Sequence, residues 1–274
     1  MLRRRPTAAA VVTAFFESCQ ARGLSKATLA WYRYTLAPLH NGPGALPARP
    51  EALEKLLAGL PVRSPASRHC YWRAWRTLYS FAEARFGVPN AAAALAAPRL
   101  PPQLPRTLAL DQAVALLRRR LSRRDRALLT LLLDTGLRIG EAASLSWAQV
   151  GQASVVVIGK TGQHEVPISP QTRRLLVGLG KEGDIWTGKK GRLTTSGLGQ
   201  VARRALRRTG LPGGPQTLRH TFARLYVLNG GDVFSLQRIL GHSQISTTRR
   251  YVDLDTRDVQ RQHALYSPIR ALLR

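Results

Sequence analysis

A proline-rich segment near residue 100 restricts the folds that this chain can adopt. Residues 97–106 contain four prolines and no helical periodicity, so we expect a stiff, extended linker there. The segments on either side are each long enough to form a domain. The sequence therefore predicts a first domain at 1–97, a linker at 98–106 and a second domain at 107–274.

The first of these domains has a helical pattern throughout. We predict helices at 7–22, from Ser25 onward, at about 50–59, and from about Ser64 to Gly87. Aromatic residues recur at intervals of three and four in the last helix, which favours a buried stripe over a base-stacking surface. Five basic residues fall on other faces of the helices and are candidates for contacts with DNA: Lys26, Arg33, Arg68, Arg73 and Arg76.

The second domain combines helices with one short pair of strands. The residues at 155–158 and 166–168 are rich in Val and Ile and flank a glycine-containing turn, which predicts a β-hairpin. Helices are predicted around this hairpin, at 110–121, 126–135, 170–179, 195–209, 216–228, 232–240 and 247–252. The predicted fold class is mainly α with a small β-hairpin.

The charge balance points to a polyanionic partner. The chain has 42 Lys and Arg against 15 Asp and Glu, a formal net charge of +27. Nucleic acid fits this excess best, because basic side chains on phosphates release condensed counterions. An arginine-rich genomic base composition is the alternative source of the charge.

The cysteines and the N-terminus bear on cellular location. The two cysteines form no CxxC pair, which argues for a reducing compartment and against a zinc module or disulfide scaffold. The apolar run at 8–16 ends in Glu17 without a small-residue cleavage site, so we interpret it as a helix and not a signal peptide. No run approaches the length of a membrane span. We expect a cytoplasmic protein with no membrane partner.

Acidic residues are too sparse and scattered to suggest a metal site. HExxH does not occur, and the nearest approach to a carboxylate cluster, Asp253, Asp255 and Asp258, is interpreted as capping in a turn after a helix. An enzyme of this sequence is therefore expected to need no metal and no other cofactor. Phosphoryl transfer without a metal requires a protein nucleophile, cations for the non-bridging oxygens and an acid for the leaving oxygen.

Three stretches of the second domain carry such groups. Residues 134–141 place Arg138 after a helix-ending glycine, and residues 217–223 place Arg219 at the start of an amphipathic helix. Residues 240–251 place His242 just past a helix end and Tyr251 one short helix later. Each residue alone would be an ordinary surface or cap residue, and only their combination indicates a site.

These stretches, in this order, resemble the signature boxes of the tyrosine recombinase (phage integrase) family. Residues 158–168 resemble its lysine-bearing β-turn, and 22–29 and 105–117 resemble its core-binding domain and the entry to its catalytic domain. The resemblance covers nearly the whole chain. It implies an N-terminal helical core-binding domain followed by a mixed α/β catalytic domain.

The resemblance implies specific roles in DNA cleavage. Tyr251 is the expected nucleophile that forms a 3′-phosphotyrosine and releases a 5′-hydroxyl. Arg138 and Arg219 are expected to bind the non-bridging oxygens, for which planar guanidinium groups are suited. Lys160 is expected to protonate the leaving 5′ oxygen, which an arginine with a pKa above about 12 does poorly.

Three further residues complete the predicted site. His242 is expected to hydrogen-bond the phosphate or assist proton movement, and Glu141 to orient an active-site partner. Gln216 stands where the family usually has a histidine, three residues before the second arginine. An amide can donate a hydrogen bond but carries no charge, so this departure predicts slower cleavage.

The resemblance is closest to Xer-like recombinases that resolve chromosome or plasmid dimers, or to compact integrases of mobile elements. It implies double-stranded DNA with a specific site as partner. It also implies a homotetramer on two duplexes, or a mixed tetramer with a second recombinase. Residues 259–274 are expected to pack either on a neighbouring subunit or on their own domain. The alternatives are a DNA-binding protein of this fold that no longer cuts and a type IB topoisomerase.

Overall fold

The computed structural model of the chain describes residues 5–42, 44–62, 64–101, 105–159, 162–180, 182–188 and 191–241, together with residues 260, 263, 264 and 269. The chain forms two compact units, Met1–Pro102 and Gln103–Arg274. None of the helices in these ranges combines the length and apolarity needed to cross a bilayer.

The described part of the first unit contains four helices, and local capping signals explain where they begin. The helices are α1 (Ala8–Ala21), α2 (Lys26–His40), α3 (Pro50–Ala58) and α4 (Pro65–Phe86). The side chains of Thr7, Ser25 and Ser64 cap α1, α2 and α4 by accepting hydrogen bonds from backbone N–H groups. All four helices agree closely with the prediction.

The aromatic stripe of α4 forms the core of the first unit. Trp75 and Tyr79 are fully buried, and their polar atoms are satisfied. Trp75 Nε1 donates to Thr35 O at 2.9 Å, and the Tyr79 hydroxyl donates to Pro47 O at 2.9 Å. The interpretation of these aromatics as core residues is confirmed.

The second unit is built around helix α6. Its described elements are α5 (Leu110–Arg118), α6 (Arg123–Thr135), α7 (Ile139–Ser144), a 3-10 turn (Trp147–Gln149), β1 (Ser154–Gly159), β2 (Gly162–Pro167), α8 (Pro170–Val177), β3 (Thr187–Gly188), β4 (Gly191–Arg192), α9 (Thr195–Arg208), α10 (Pro215–Leu228) and α11 (Val233–Leu240). Helix α6 packs against α5, α7, α8, α9 and α10, and Leu128, Leu129, Leu131 and Leu132 are fully buried on it. The predicted mainly helical fold with a small hairpin is confirmed.

Several boundaries differ from the prediction. Helix α5 ends at Arg118 and not at residue 121, because Ser122 caps a longer α6 that starts at Arg123. The intervening backbone is held by Arg126, whose Nη1 and Nη2 donate to Leu117 O and Arg119 O. Helix α7 and the β3–β4 ribbon were not predicted as separate elements. The predicted helix at 247–252 lies outside the described residues.

The hairpin is also longer and tighter than predicted. Strands β1 and β2 pair in antiparallel register from Ser154↔Pro167 to Gly159↔Gly162, so only two residues connect them. Short loops of this kind favour glycine, and glycines flank the connection on both sides. The first connecting residue is Lys160, which lies outside the described residues.

Candidate active site

Arg219 joins two helix ends in the interior of the second unit. Its side chain is fully buried on α10. Nη1 donates to Gly136 O at 2.7 Å, and Nη2 donates to Leu240 O at 2.8 Å. Carbonyls at helix C-termini lack intrahelical partners, so the guanidinium satisfies the ends of α6 and α11 and is itself stabilised by them. Arg219 thereby fixes the position of both chain segments.

Arg138 also contacts Leu240 O. Its Nη1 lies 3.5 Å from Leu240 O and donates to Glu141 Oε1 at 2.8 Å. Its backbone N–H donates to Glu141 Oε2 at 2.8 Å, so Glu141 caps α7 and orients the guanidinium at once. Arg138 and Arg219 therefore lie next to each other and share Leu240 O as an acceptor.

The two arginines differ in their access to an external anion. The Arg138 side chain is 43% exposed, whereas that of Glu141 is 6% exposed. Nε and Nη2 of Arg138 donate to none of the residues that the structure describes. A guanidinium suits a phosphate because two parallel N–H groups match two oxygens. This arrangement can bind and polarise a phosphodiester.

Gly136 allows the two segments to approach this closely. It ends α6 with φ +64°, in the left-handed region that side-chain-bearing residues adopt at a cost. A Cβ atom at this position would lie 2.4 Å from Phe222 Cδ1 and 2.8 Å from Leu240 Cδ2. The predicted helix-ending glycine is thus required by both backbone conformation and packing.

The hairpin reaches the arginine pair at its turn. A Cβ atom on Gly159 would lie 3.1 Å from Glu141 Oε1, so the last residue of β1 adjoins the carboxylate that holds Arg138. Lys160 follows directly in the sequence. The backbone from which the predicted proton donor extends therefore starts beside the arginines.

The end of α11 provides the entry to the third predicted stretch. Gly241 caps α11 with φ +60°, immediately after the carbonyl that both arginines share. His242 and Tyr251 follow, and both lie outside the described residues. The structure thus brings together Arg138, Glu141 and Arg219, and it describes the residues that directly precede Lys160 and His242.

Gln216 lies in the first turn of α10, one turn before Arg219, and is exposed.

His220, next to Arg219, was not predicted as a site residue. Burial and the neighbouring Arg219 charge lower the pKa of His220, which favours its neutral form. The described residues include no group of three or more His, Cys, Asp or Glu side chains that could hold a metal ion.

His164 is a second residue that sequence reasoning missed. It lies on β2, and its ring lies close to Gly241 and Gly159. The sequence pattern predicts a longer turn. With the two-residue turn that the structure has, His164 lies on the same face of the hairpin as the apolar Val155, Val157 and Val166. The signal available in the sequence was the two glycines, Gly159 and Gly162, which flank a two-residue connection.

The candidate DNA-contact residues of the first unit are largely exposed. Three of these arginines stack on aromatic rings: Arg33 on Phe16 at 5.6 Å, Arg73 on Trp31 at 5.8 Å and Arg76 on Trp72 at 5.1 Å. Lys26 is exposed in the first turn of α2, and Arg68 is half-buried. Stacking restricts the side chains without neutralising them.

The chain is similar to known proteins in both sequence and fold. The model of the phage integrase family matches residues 106–257. A tyrosine recombinase XerC of Rhodospirillum centenum is 40% identical over 191 residues, which cover 60% of this chain and 55% of that protein. The chain thus matches little more than half the length of this relative.

A second relative is matched along most of its length. A tyrosine recombinase XerC of Chromobacterium violaceum is 34% identical over 269 residues, covering 88% of this chain and 89% of that protein. A lambda integrase tetramer bound to a Holliday junction has a similar fold, with a TM-score of 0.74, 21% identity, and coverage of 88% of this chain and 79% of that one. The chain belongs to the phage integrase family, whose members include the XerC tyrosine recombinases.

Proposed function

We propose that this protein is a site-specific DNA recombinase that cleaves and rejoins DNA through a 3′-phosphotyrosine. The observation that carries the proposal is the convergence of Arg138 and Arg219 on Leu240 O. This arrangement concentrates positive charge between the backbones that lead to Lys160 and to His242. A phosphodiester is the ligand that such a site fits.

In the proposed cleavage step the Tyr251 oxygen attacks phosphorus. A bond forms between the phenolic oxygen and the phosphorus, the bond from phosphorus to the 5′ oxygen breaks, and the tyrosine hydroxyl loses its proton to water. Phenol has an ordinary pKa of about 10, so a cationic environment is needed for it to react at neutral pH. Arg138 and Arg219 supply that environment and stabilise the charge on the non-bridging oxygens.

Lys160 would donate the proton that the leaving 5′ oxygen requires, and His242 would hydrogen-bond the phosphate. Rejoining reverses these steps, with a 5′-hydroxyl of the second duplex as the nucleophile. The number of phosphodiester bonds is conserved, so the reaction needs no energy-rich cofactor.

The proposed substrate is double-stranded DNA with a specific recombination site. The first unit is proposed as the core-binding domain, with Lys26, Arg33, Arg68, Arg73 and Arg76 as contacts. The excess of 42 basic over 15 acidic residues supports a phosphate-rich partner. We place the protein in the cytoplasm.

The proposed assembly is a homotetramer on two duplexes, or a mixed tetramer with a second recombinase. Residues 259–274, most of which lie outside the described residues, would connect neighbouring subunits. Resolution of replicon dimers and integration of a mobile element are the two biological settings that we propose.

The proposal can be tested by covalent trapping on a nicked duplex library of random sequence. After cleavage close to the nick, the short 5′-hydroxyl strand diffuses away and leaves protein attached to DNA. We expect wild-type protein to retain DNA in detergent, and we expect the retained DNA molecules to share a sequence motif. Tyr251→Phe should retain no DNA under the same conditions. Covalent adducts that persist in Tyr251→Phe would refute the assignment of the nucleophile.

Gln216 favours one second candidate, a DNA-binding protein of this fold that no longer cuts. We expect Gln216→His to trap DNA faster than wild type, by about tenfold or more, since general acid–base groups contribute about 100-fold or more when fully effective. If wild-type protein forms no adduct while Gln216→His does, the native protein binds DNA without cutting it.

A further inference from the structure

The inward face of the hairpin contains one polar residue that no contact explains. Val155, Val157 and Val166 lie on this face and are fully buried. His164 is paired with Val157 in the register and shares the face. A strand that packs against a core normally places an apolar side chain there, so the histidine calls for another explanation.

The His164 ring lies between the two backbone segments that lead to the predicted proton-transfer residues. A Cβ atom on Gly241 would lie 3.0 Å from its Cε1 and 3.1 Å from its Nε2. A Cβ atom on Gly159 would lie 3.8 Å from its Cε1. Gly159 precedes Lys160 and Gly241 precedes His242, so the ring lies against the last described residue before each of them.

The Nε2 atom of His164 is buried and has no hydrogen-bond partner among the described residues. A buried polar atom without a partner costs about 1–3 kcal/mol, so each such atom in a native protein calls for an explanation, such as a catalytic role or a bound water. Glu141 lies beside Gly159, as the His164 ring does, and Arg138 is bound to Glu141. The structure thus presents an unused donor or acceptor at the edge of the arginine pair.

We propose that His164 is a positioning residue for protonation of the leaving 5′ oxygen. Its ring lies against Gly159 and Gly241, which directly precede Lys160 and His242 in the sequence, and its Nε2 forms a hydrogen bond in the DNA-bound state that holds Gly159 in place ahead of Lys160. This inference rests on the proposed recombinase function. It extends that function by assigning a role to a residue outside the family's signature boxes.

Three substitutions separate the hydrogen bond from the volume of the ring. His164→Gln places an amide nitrogen near the position of Nε2, His164→Asn places one near Nδ1, and His164→Leu keeps bulk without polarity. Thermal unfolding first establishes that each variant is folded at the assay temperature, and DNA binding is measured alongside. We expect little change in the affinity for DNA.

The decisive measurement is single-turnover cleavage of two matched duplexes. One has the natural 5′ oxygen at the scissile phosphate, and the other has a bridging sulfur. A thiolate leaves without a proton because a thiol has a pKa of about 8.5. We expect His164→Leu and His164→Asn to cleave the oxygen substrate about 10- to 100-fold slower than wild type, within the range of general acid catalysis. His164→Gln should stay within a few-fold of wild type.

On the sulfur substrate all three variants should cleave at nearly the wild-type rate. Wild-type rates for His164→Leu on the oxygen substrate would overturn the proposal, as would a defect of equal size on both substrates. Equal defects in His164→Gln and His164→Leu would overturn the role of Nε2. If the proposed recombinase function itself is wrong, wild-type protein will form no adduct on either duplex, which distinguishes that outcome from failure of the role assigned to His164.

Discussion

The contact between Glu141 and Arg138 gives a quantitative test of how the site is held together. Both carboxylate oxygens of Glu141 accept a hydrogen bond, Oε2 from the Arg138 backbone N–H and Oε1 from its guanidinium, each at 2.8 Å. Glu141→Gln keeps the shape but offers one acceptor and one NH₂ donor. In the variant the NH₂ group therefore faces either the backbone N–H or the guanidinium of Arg138, and two donors meet without an acceptor.

The expected loss follows from burial. A hydrogen bond to a charged group contributes about 1.5–3 kcal/mol, and exposed ion pairs contribute about 0–1 kcal/mol. The Glu141 side chain is 6% exposed but that of Arg138 is 43% exposed, so we expect a loss of about 1–3 kcal/mol in the free energy of unfolding. For a unit of this size that lowers Tm by about 3–9 °C.

Cleavage should fall further than stability alone would explain. Arg138 without its carboxylate partner samples other rotamers, and each 1.4 kcal/mol of lost transition-state binding slows the reaction about tenfold. We expect Glu141→Gln to cleave a trapping substrate about 10- to 100-fold slower than wild type at a temperature well below Tm. Calorimetry and single-turnover cleavage provide the two measurements.

Asp125→Asn is the matched control. It removes an ion pair with Arg124 of the same length, 2.8 Å, at the opposite end of α6. Both partners are partly exposed, so we expect a loss of about 1 kcal/mol or less and an unchanged cleavage rate. Equal cleavage by Glu141→Gln and Asp125→Asn would refute the conclusion that Glu141 positions Arg138.

Two further predictions concern the surroundings of Arg219. Gly136→Ala should lower the free energy of unfolding by about 2–4 kcal/mol, measured by denaturant titration, because a left-handed residue gains a Cβ against the Phe222 ring. His220 has its pKa lowered from 6.5 by burial and by Arg219, so its unfolded state binds more protons than the folded state. Stability should therefore fall as the pH drops below about 6.5, and His220→Gln should flatten that part of the pH profile. An unchanged slope in this variant would contradict the assignment.

Much of the fold could be predicted because its signals are local. Ser25, Ser64 and Gly87 bound α2 and α4 through capping interactions that involve only neighbouring residues. The local settings of the two arginines could also be predicted, since Arg138 follows a helix-ending glycine and Arg219 lies in the first turns of an amphipathic helix. Such positions depend on short-range sequence patterns.

The features that were missed depend on contacts between distant segments. The acceptor shared by the arginines is a backbone carbonyl. Every residue has one, so the pattern of side chains in the sequence does not indicate which carbonyl is used. The role of His164 depends on strand register, which a one-residue difference in turn length reverses. The prediction of a longer turn placed His164 in the turn, so the face of the sheet on which it lies could not be predicted.

The geometry assigns different physical tasks to the two arginines. Arg219 is buried and binds the ends of two helices, so its charge is part of the structure before any DNA arrives. Arg138 is partly open and is oriented by a carboxylate, so its remaining N–H groups can meet a phosphate without first leaving a buried partner. A site built in this way is preorganised for an anion. Because Leu240 O contacts both guanidinium groups, a shift of the α11 end would alter both arginines together, and this shared carbonyl couples the segment that leads to His242 to the arginine pair.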